Sequence, residues 1–305
     1  MDILKKIDEK NYGSDYTTFP RTLEKYKWYK PILVAIITLI FVIIFNAILF
    51  ITFIGFSGFD VQQLGQVLSG TSTDGAITNL SNIITLLTVV LIIPSIYIST
   101  KIVKDRPFSS YLTLGRKWDW GIFLKSMLIA FIVYMIIYSI EMIIMKEPIH
   151  NSFTIITFLL VLILTPIQCF AEELLCRGFI MQTFGSWFRI PIVAILLQTI
   201  LFAAGHTYNM TGLLSVFITG LVYGIITWYS KGLEVSSALH SINNLFVFTI
   251  IGLGLTTVTH DVSYISLFEG FILLILSVGA ILLIDKKFNW IRLIEQPHLV
   301  EGEDS

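Results

Sequence analysis

The sequence predicts an all-α integral membrane protein, a bundle of about eight transmembrane helices with both termini cytoplasmic. Three observations lead there. Of the 305 residues, 55% are hydrophobic and 13% charged, with a mean hydropathy of +0.82, whereas soluble domains carry roughly 25% charged residues. The apolar residues also fall into blocks of about 17 to 25, the length that crosses a hydrocarbon core about 30 Å thick. Finally, Lys and Arg gather in alternate connections, as expected when basic loops stay in the cytoplasm.

The predicted spans run near 32–55, 77–100, 120–144, 154–175, 191–207, 212–229, 234–254 and 264–284. Residues 1–28 read as a charged cytoplasmic tail with Tyr26 and Trp28 at the interface, 29–285 as the transmembrane domain, and 286–305 as a second cytoplasmic tail ending in Glu301, Glu303 and Asp304. The first tail with Lys30 just beyond it and the 101–117 loop carry twelve of the 20 basic residues, and Arg177, Arg189, Lys231, Lys286, Lys287 and Arg292 fall on the same predicted side. Lys146 alone falls opposite, and Lys125 lies just inside the third span. The segment Arg106 to Trp120, with Pro107, Gly115, Trp118 and Trp120, is expected to enter that span with its tryptophans at headgroup level. The first apolar block follows about 30 polar residues without a small-residue cleavage pattern and is expected to remain as an anchor.

A net charge of −1 gives no sign of a nucleic-acid partner; the expected surroundings are lipid and a membrane-associated peptide or protein. Cys169 and Cys176 lie on the fourth span without CxxC spacing and read as buried thiols. No repeat or linker divides the chain into soluble domains.

Ionisable side chains inside a spanning helix cost about 2.5 to 3.5 kcal/mol each and so mark function by default. Here they concentrate in three places: Glu172, Glu173 and Arg177 on span four, Phe202 and His206 on span five, His240 and Asn244 on span seven. Glu173 and Arg177 are i, i+4, the spacing of an ion pair. Glu172 points about 100° away on the helix wheel and has no local partner, as suits a general base. His240 and Asn244, also i, i+4, send donors to one point and could hold an oxyanion. His206 supplies a second imidazole able to share a water with Glu172. Each motif alone has a plain structural explanation, an interhelical hydrogen bond or an interfacial charge pair; their succession on otherwise apolar helices favours a joint role. Asn46, Gln168 and Gln198 read as interhelical bonds, and Gly220 with Gly224 as a GxxxG packing contact.

The motifs Glu172-Glu173-x-x-x-Arg177, Phe202-x-x-x-His206 and His240-x-x-x-Asn244 resemble those of the CPBP family, the CAAX-protease and bacteriocin-processing membrane proteases, which includes type II CAAX prenyl endopeptidases. The resemblance covers about 155–250. It implies an eight-helix intramembrane endopeptidase of the cell membrane in which Glu172 and His206 activate water, His240 and Asn244 stabilise the oxyanion, and Glu173 with Arg177 support them. The substrate would be a CAAX-type peptide or a pheromone or bacteriocin precursor. Family members have been described both as metalloproteases and as glutamate proteases without metal. Glu172, His206 and His240 could make a zinc site with Glu173 as base, yet Asn is a poor zinc ligand and HExxH is absent; the metal-free mechanism is favoured. Two alternatives stay open: a non-catalytic immunity or regulatory protein that binds a sensor kinase or toxin target, and a transporter using the buried charges as an ion site, for which no inverted repeat is visible.

Overall fold

In a computed structural model, residues 15–69, 75–146, 148–256 and 259–291 are described. Among them the only regular structure is helical, apart from a single antiparallel bridge between Thr113 and Gly232. The helices are α1 (Lys30–Ser57), α2 (Val61–Ser69), α3 (Gly75–Val90), α4 (Ile92–Val103), α5 (Trp120–Met145), α6 (Ile155–Glu173), α7 (Gln182–Phe188), α8 (Pro191–Ala204), α9 (Met210–Ser230), α10 (Glu234–Gly252) and α11 (Tyr264–Phe288), with a π-helical stretch Leu174–Met181 joining α6 to α7. Among the described residues, seven stretches are long and apolar enough to span a bilayer. This is an all-α, multi-pass membrane protein.

Local chemistry sets most boundaries. Pro94 has no N–H and its ring crowds the carbonyl of Val90, which breaks one span into α3 and α4. Asp119 caps α5 by accepting from Gly121 N and Ile122 N at 2.7 and 3.2 Å. Thr154 and Thr157 form a reciprocal capping box on α6, and Asn209 caps α9 through Gly212 N. Lys104, Lys146, Arg189 and Lys231 close α4, α5, α7 and α9 in the left-handed conformation, which sets a cation at the negative end of each helix dipole.

Two spans depart from the lengths expected of them. The fourth does not stop near 175: α6, the π stretch and α7 form 34 continuous residues, Ile155–Phe188, about 51 Å at 1.5 Å per residue. The fifth, expected over 191–207, is the 14-residue α8, about 21 Å long and below the usual spanning length. The described part of the 1–28 segment is not a free tail, because Tyr16, Thr17, Thr18 and Phe19 are buried. Tyr16 donates to Tyr111 O at 2.9 Å, and Thr17 O lies so close to Gly185 that a Cβ there would meet it at 2.4 Å. Residues 1–14 and 292–305, with most of the second predicted tail, lie outside the described residues.

Within the bundle α10 packs on α5 and α6, α8 on α9, α3 on α6, α1 on α4, and α11 on α5 and α9. The GxxxG contact forms as expected: a Cβ on Gly220 would meet Phe202 at 3.0 Å and one on Gly224 would meet Gln198 at 2.7 Å, so α8 and α9 cross closely at these two glycines. Exposed leucine, isoleucine and phenylalanine side chains cover the outer faces of α1, α5, α6 and α11. A surface this apolar suits lipid and would aggregate in water.

Candidate active site

The long α6–α7 rod and the short α8 make an antiparallel hairpin turning at Phe188–Pro191. Arg177 precedes Phe188 by as many residues as Phe202 follows Pro191, and the two meet: the guanidinium carbon lies 4.4 Å from the ring centroid. Glu172 lies 16 residues before Phe188 and His206 lies 15 after Pro191, comparable distances along the two arms of the hairpin. The shortness of α8 therefore has a consequence for the site. Its C-cap Gly205 ends the helix one residue before His206, which therefore sits on the non-helical 205–209 turn, half-buried against Phe202 and Tyr208.

The π stretch begins immediately after Glu173. Such insertions are frequent at functional sites because the extra residue per turn re-aims side chains. Gly178 lies within it, and a Cβ there would meet Tyr111 O at 2.7 Å, so the 108–111 turn can press against the rod.

Glu173 and Arg177 form the expected i, i+4 pair, Arg177 Nη1 donating to Glu173 Oε1 at 2.9 Å with both side chains fully buried. Arg177 Nη2 also donates to Gly220 O at 3.0 Å. The pair is tied to a second motif, because His240 Nδ1 lies 3.0 Å from the same Glu173 oxygen. A carboxylate paired with arginine can only accept, so Nδ1 carries the proton and donates. The tautomer is thereby assigned, and Nε2 is turned to the other side of the ring.

On that side stand Glu172 and Asn244. Glu172 Oε2 is 3.6 Å from His240 Nε2, and the Glu172 side chain keeps 21% exposure against none for Glu173. Asn244 Nδ2 is 3.4 Å from the same nitrogen. Glu172, His240 and Asn244 are thus brought together around one imidazole edge. His206 is not bonded to them: among the described residues no hydrogen bond or ion pair joins it to the other three. Its Nδ1 lies 2.8 Å from Phe202 O, and its ring packs on Phe202 and Tyr208. The Phe202 ring faces both imidazoles, 4.9 Å from His206 and 6.2 Å from His240.

No group of three His, Cys, Asp or Glu side chains among the described residues is gathered to hold a metal ion. The set Glu172, His206, His240 does not close on one point in this arrangement, and no chemical step below is routed through a metal. Cys169 and Cys176 are free and buried, as expected.

Two residues that spacing did not single out belong to the cluster. Gln168, one turn before Glu172, donates to Glu172 Oε1 at 2.5 Å and accepts from Asn244 Nδ2 at 3.3 Å. Asn243 donates to Asn244 Oδ1 and accepts from Tyr134 OH, each at 3.0 Å. The available signal was Gln168's i, i+4 relation to Glu172, which puts both on one helix face.

Comparison with known proteins bears on the same segment. Residues 151–246 match the family model for Rce1-like proteins, described as type II CAAX prenyl endopeptidase Rce1-like. The Rce1-like segment agrees with the family the motifs resemble, and it contains Glu172, Glu173, Arg177, His206, His240 and Asn244. The chain is also similar to Uncharacterized protein YyaK of Bacillus subtilis (strain 168), 28% identical over 167 residues, 51% of this chain and 56% of that protein. The match therefore spans little more than half the length of that relative. No solved structure matches the chain.

Proposed function

We propose that the chain is an endopeptidase of the cell membrane that cuts a membrane-associated peptide or protein within the bilayer, with Glu172 as general base. The single observation that carries this reading is the two-sided engagement of His240. One nitrogen is anchored on the buried Glu173–Arg177 pair, and the other faces a more open carboxylate and an amide donor.

The chemistry follows from that geometry. A water between Glu172 and the scissile carbonyl loses a proton to Glu172 as its oxygen bonds to the carbonyl carbon. The carbonyl π electrons move onto oxygen, where Asn244 N–H stabilises the charge, joined by His240 Nε2–H when the ring carries a second proton besides the one on Nδ1. The C–N bond then breaks, and the proton held on Glu172 passes to the departing amine. His206 orients the water from the opposite side after a small movement of the 205–208 turn. The Rce1-like match supports a CAAX-type C-terminal substrate, and pheromone or bacteriocin precursors share the needed chemistry, an extended peptide reaching a site beneath the lipid surface.

The test uses the purified full chain in lipid vesicles, incubated with a membrane extract of cells lacking it, and peptides released over time are sequenced by mass spectrometry. Glu172→Gln is expected to slow release at least about 100-fold, the usual worth of a positioned base, with folding intact. The cleaved bonds identify the substrate class. Release of the same peptides at the wild-type rate by Glu172→Gln removes Glu172 from the reaction. Metal analysis of the active preparation checks the metal-free mechanism: stoichiometric zinc whose removal abolishes cleavage and whose return restores it would replace that mechanism.

A further inference from the structure

Glu172 is held on one side by a partner that the hydrolytic reading does not use. Gln168 is 5% exposed, and its carboxamide stands between the proposed base and the proposed oxyanion donor, bonded to both. With Glu172 ionised, as a base must be before it takes a proton, the orientation of that amide follows from chemistry. Turned the other way, it would put an amide oxygen 2.5 Å from a carboxylate oxygen, two acceptors with no proton between them. Nε2 must therefore face Glu172, which leaves Oε1 facing Asn244. Asn244 must then turn Nδ2 towards Gln168 and Oδ1 towards Asn243, and Asn243 in turn presents Nδ2 to Asn244 and Oδ1 to the hydroxyl of Tyr134.

The result is a one-way chain of donors, Tyr134 to Asn243 to Asn244 to Gln168 to Glu172, crossing from α5 to α10 to α6. Each bond polarises the next, and the whole chain ends on the one carboxylate that retains exposure. The chain also leaves the site in the arrangement that hydrolysis needs. Pinning Glu172 Oε1 leaves Oε2 on the His240 side to take a proton from water. Holding Asn244 by one N–H keeps its amide group at the imidazole edge, where the oxyanion forms.

We propose that Gln168 is a positioning residue of this site, coupling the base Glu172 to the oxyanion donor Asn244 and supported from behind by Tyr134 through Asn243. The proposal rests on the hydrolase reading and adds a residue outside the three motifs.

The vesicle assay tests it, reading the initial rate of the peptides that wild type releases and Glu172→Gln does not. Gln168→Leu, close in size and without donors, is expected to slow release about 10- to 100-fold, the scale of a misplaced catalytic group. Tyr134→Phe fills the same buried space and removes one bond of the chain, for an expected loss of about 2- to 5-fold. Because Tyr134 acts only through the asparagines, its effect should vanish in an Asn244→Ala background, and that of Gln168→Leu should shrink there. A merely structural role predicts equal fractional losses in both backgrounds, and that result overturns the proposal. So does a wild-type rate for Gln168→Leu where Glu172→Gln is inactive, which leaves the hydrolase reading standing. Full activity in Glu172→Gln overturns both. Should Gln168→Leu fail to fold, Gln168→Met, also without donors, takes its place in the same two backgrounds and is read the same way.

Discussion

At the residue scale, the buried Glu173–Arg177 pair is the anchor on which His240 hangs. Arg177 is fully enclosed between Glu173, the Gly220 carbonyl and the rings of Phe202 and Tyr223. Removing one partner of such a pair leaves an uncompensated charge in a low-dielectric interior and costs about 3 to 5 kcal/mol. Arg177→Met should therefore lower the unfolding midpoint in detergent sharply, and the double variant Glu173→Gln, Arg177→Met should recover part of the loss because no bare charge remains. A single variant as stable as wild type would show that the pair bears little of the load. The pair itself could be read from i, i+4 spacing, as could the shared face of His240 and Asn244. The link between those two motifs could not. Whether His240 meets Glu172 or Glu173 depends on how α10 rolls against α6, and spacing within either helix is silent on that. Gln168 was legible only as a polar residue among apolar ones, since an amide that bridges two helices and one that orients a carboxylate look alike in a sequence.

At the scale of elements, hydropathy located the helices and misjudged two of their lengths. An apolar run records where lipid is tolerated, and Ile155–Phe188 continues beyond 175 because Arg177 and Gln182 find buried partners instead of solvent. Conversely, α8 stops at Ala204 although its sequence stays apolar to the end, since Gly205 caps it there. The burial of residues 16–19 was invisible to composition, because the segment is polar on average and its two threonines are buried along with Tyr16 and Phe19. The α8–α9 crossing gives an element-scale prediction. Gly220 sits where a methyl would press on Phe202 and approach Arg177 Nη2 at 3.5 Å, while Gly270 on α11 has nothing within 4 Å. Overpacking of this kind costs about 1 to 3 kcal/mol. Gly220→Ala should lose both stability and peptide release, because the displaced Phe202 and Arg177 carry His206 and Glu173 with them. Gly270→Ala should match wild type in both measurements. Equal behaviour of the two variants would mean that the hairpin register does not govern the site.

At the scale of the whole molecule, the reaction requires an orientation as well as a cluster. Positive charge predicts that the 101–117 loop faces the cytoplasm and that Lys146 faces the other side. These two regions flank α5, a single helix of 26 residues, about 39 Å end to end, so they cannot share a side if α5 crosses the bilayer. Lys117 and Lys146 are both exposed, and the two native thiols are buried at 0 and 6%, so the folded chain offers little background to thiol reagents. A cysteine at Lys146 should react with a membrane-impermeant maleimide in intact cells. One at Lys117 should react only after permeabilisation. The opposite pattern would invert the molecule, turning the Phe188–Pro191 end of the hairpin outward and requiring substrate to reach Glu172 from outside the cell. Labelling of both positions in intact cells would mean that α5 does not span, and the site would lose the lipid enclosure that distinguishes this chemistry from hydrolysis in water.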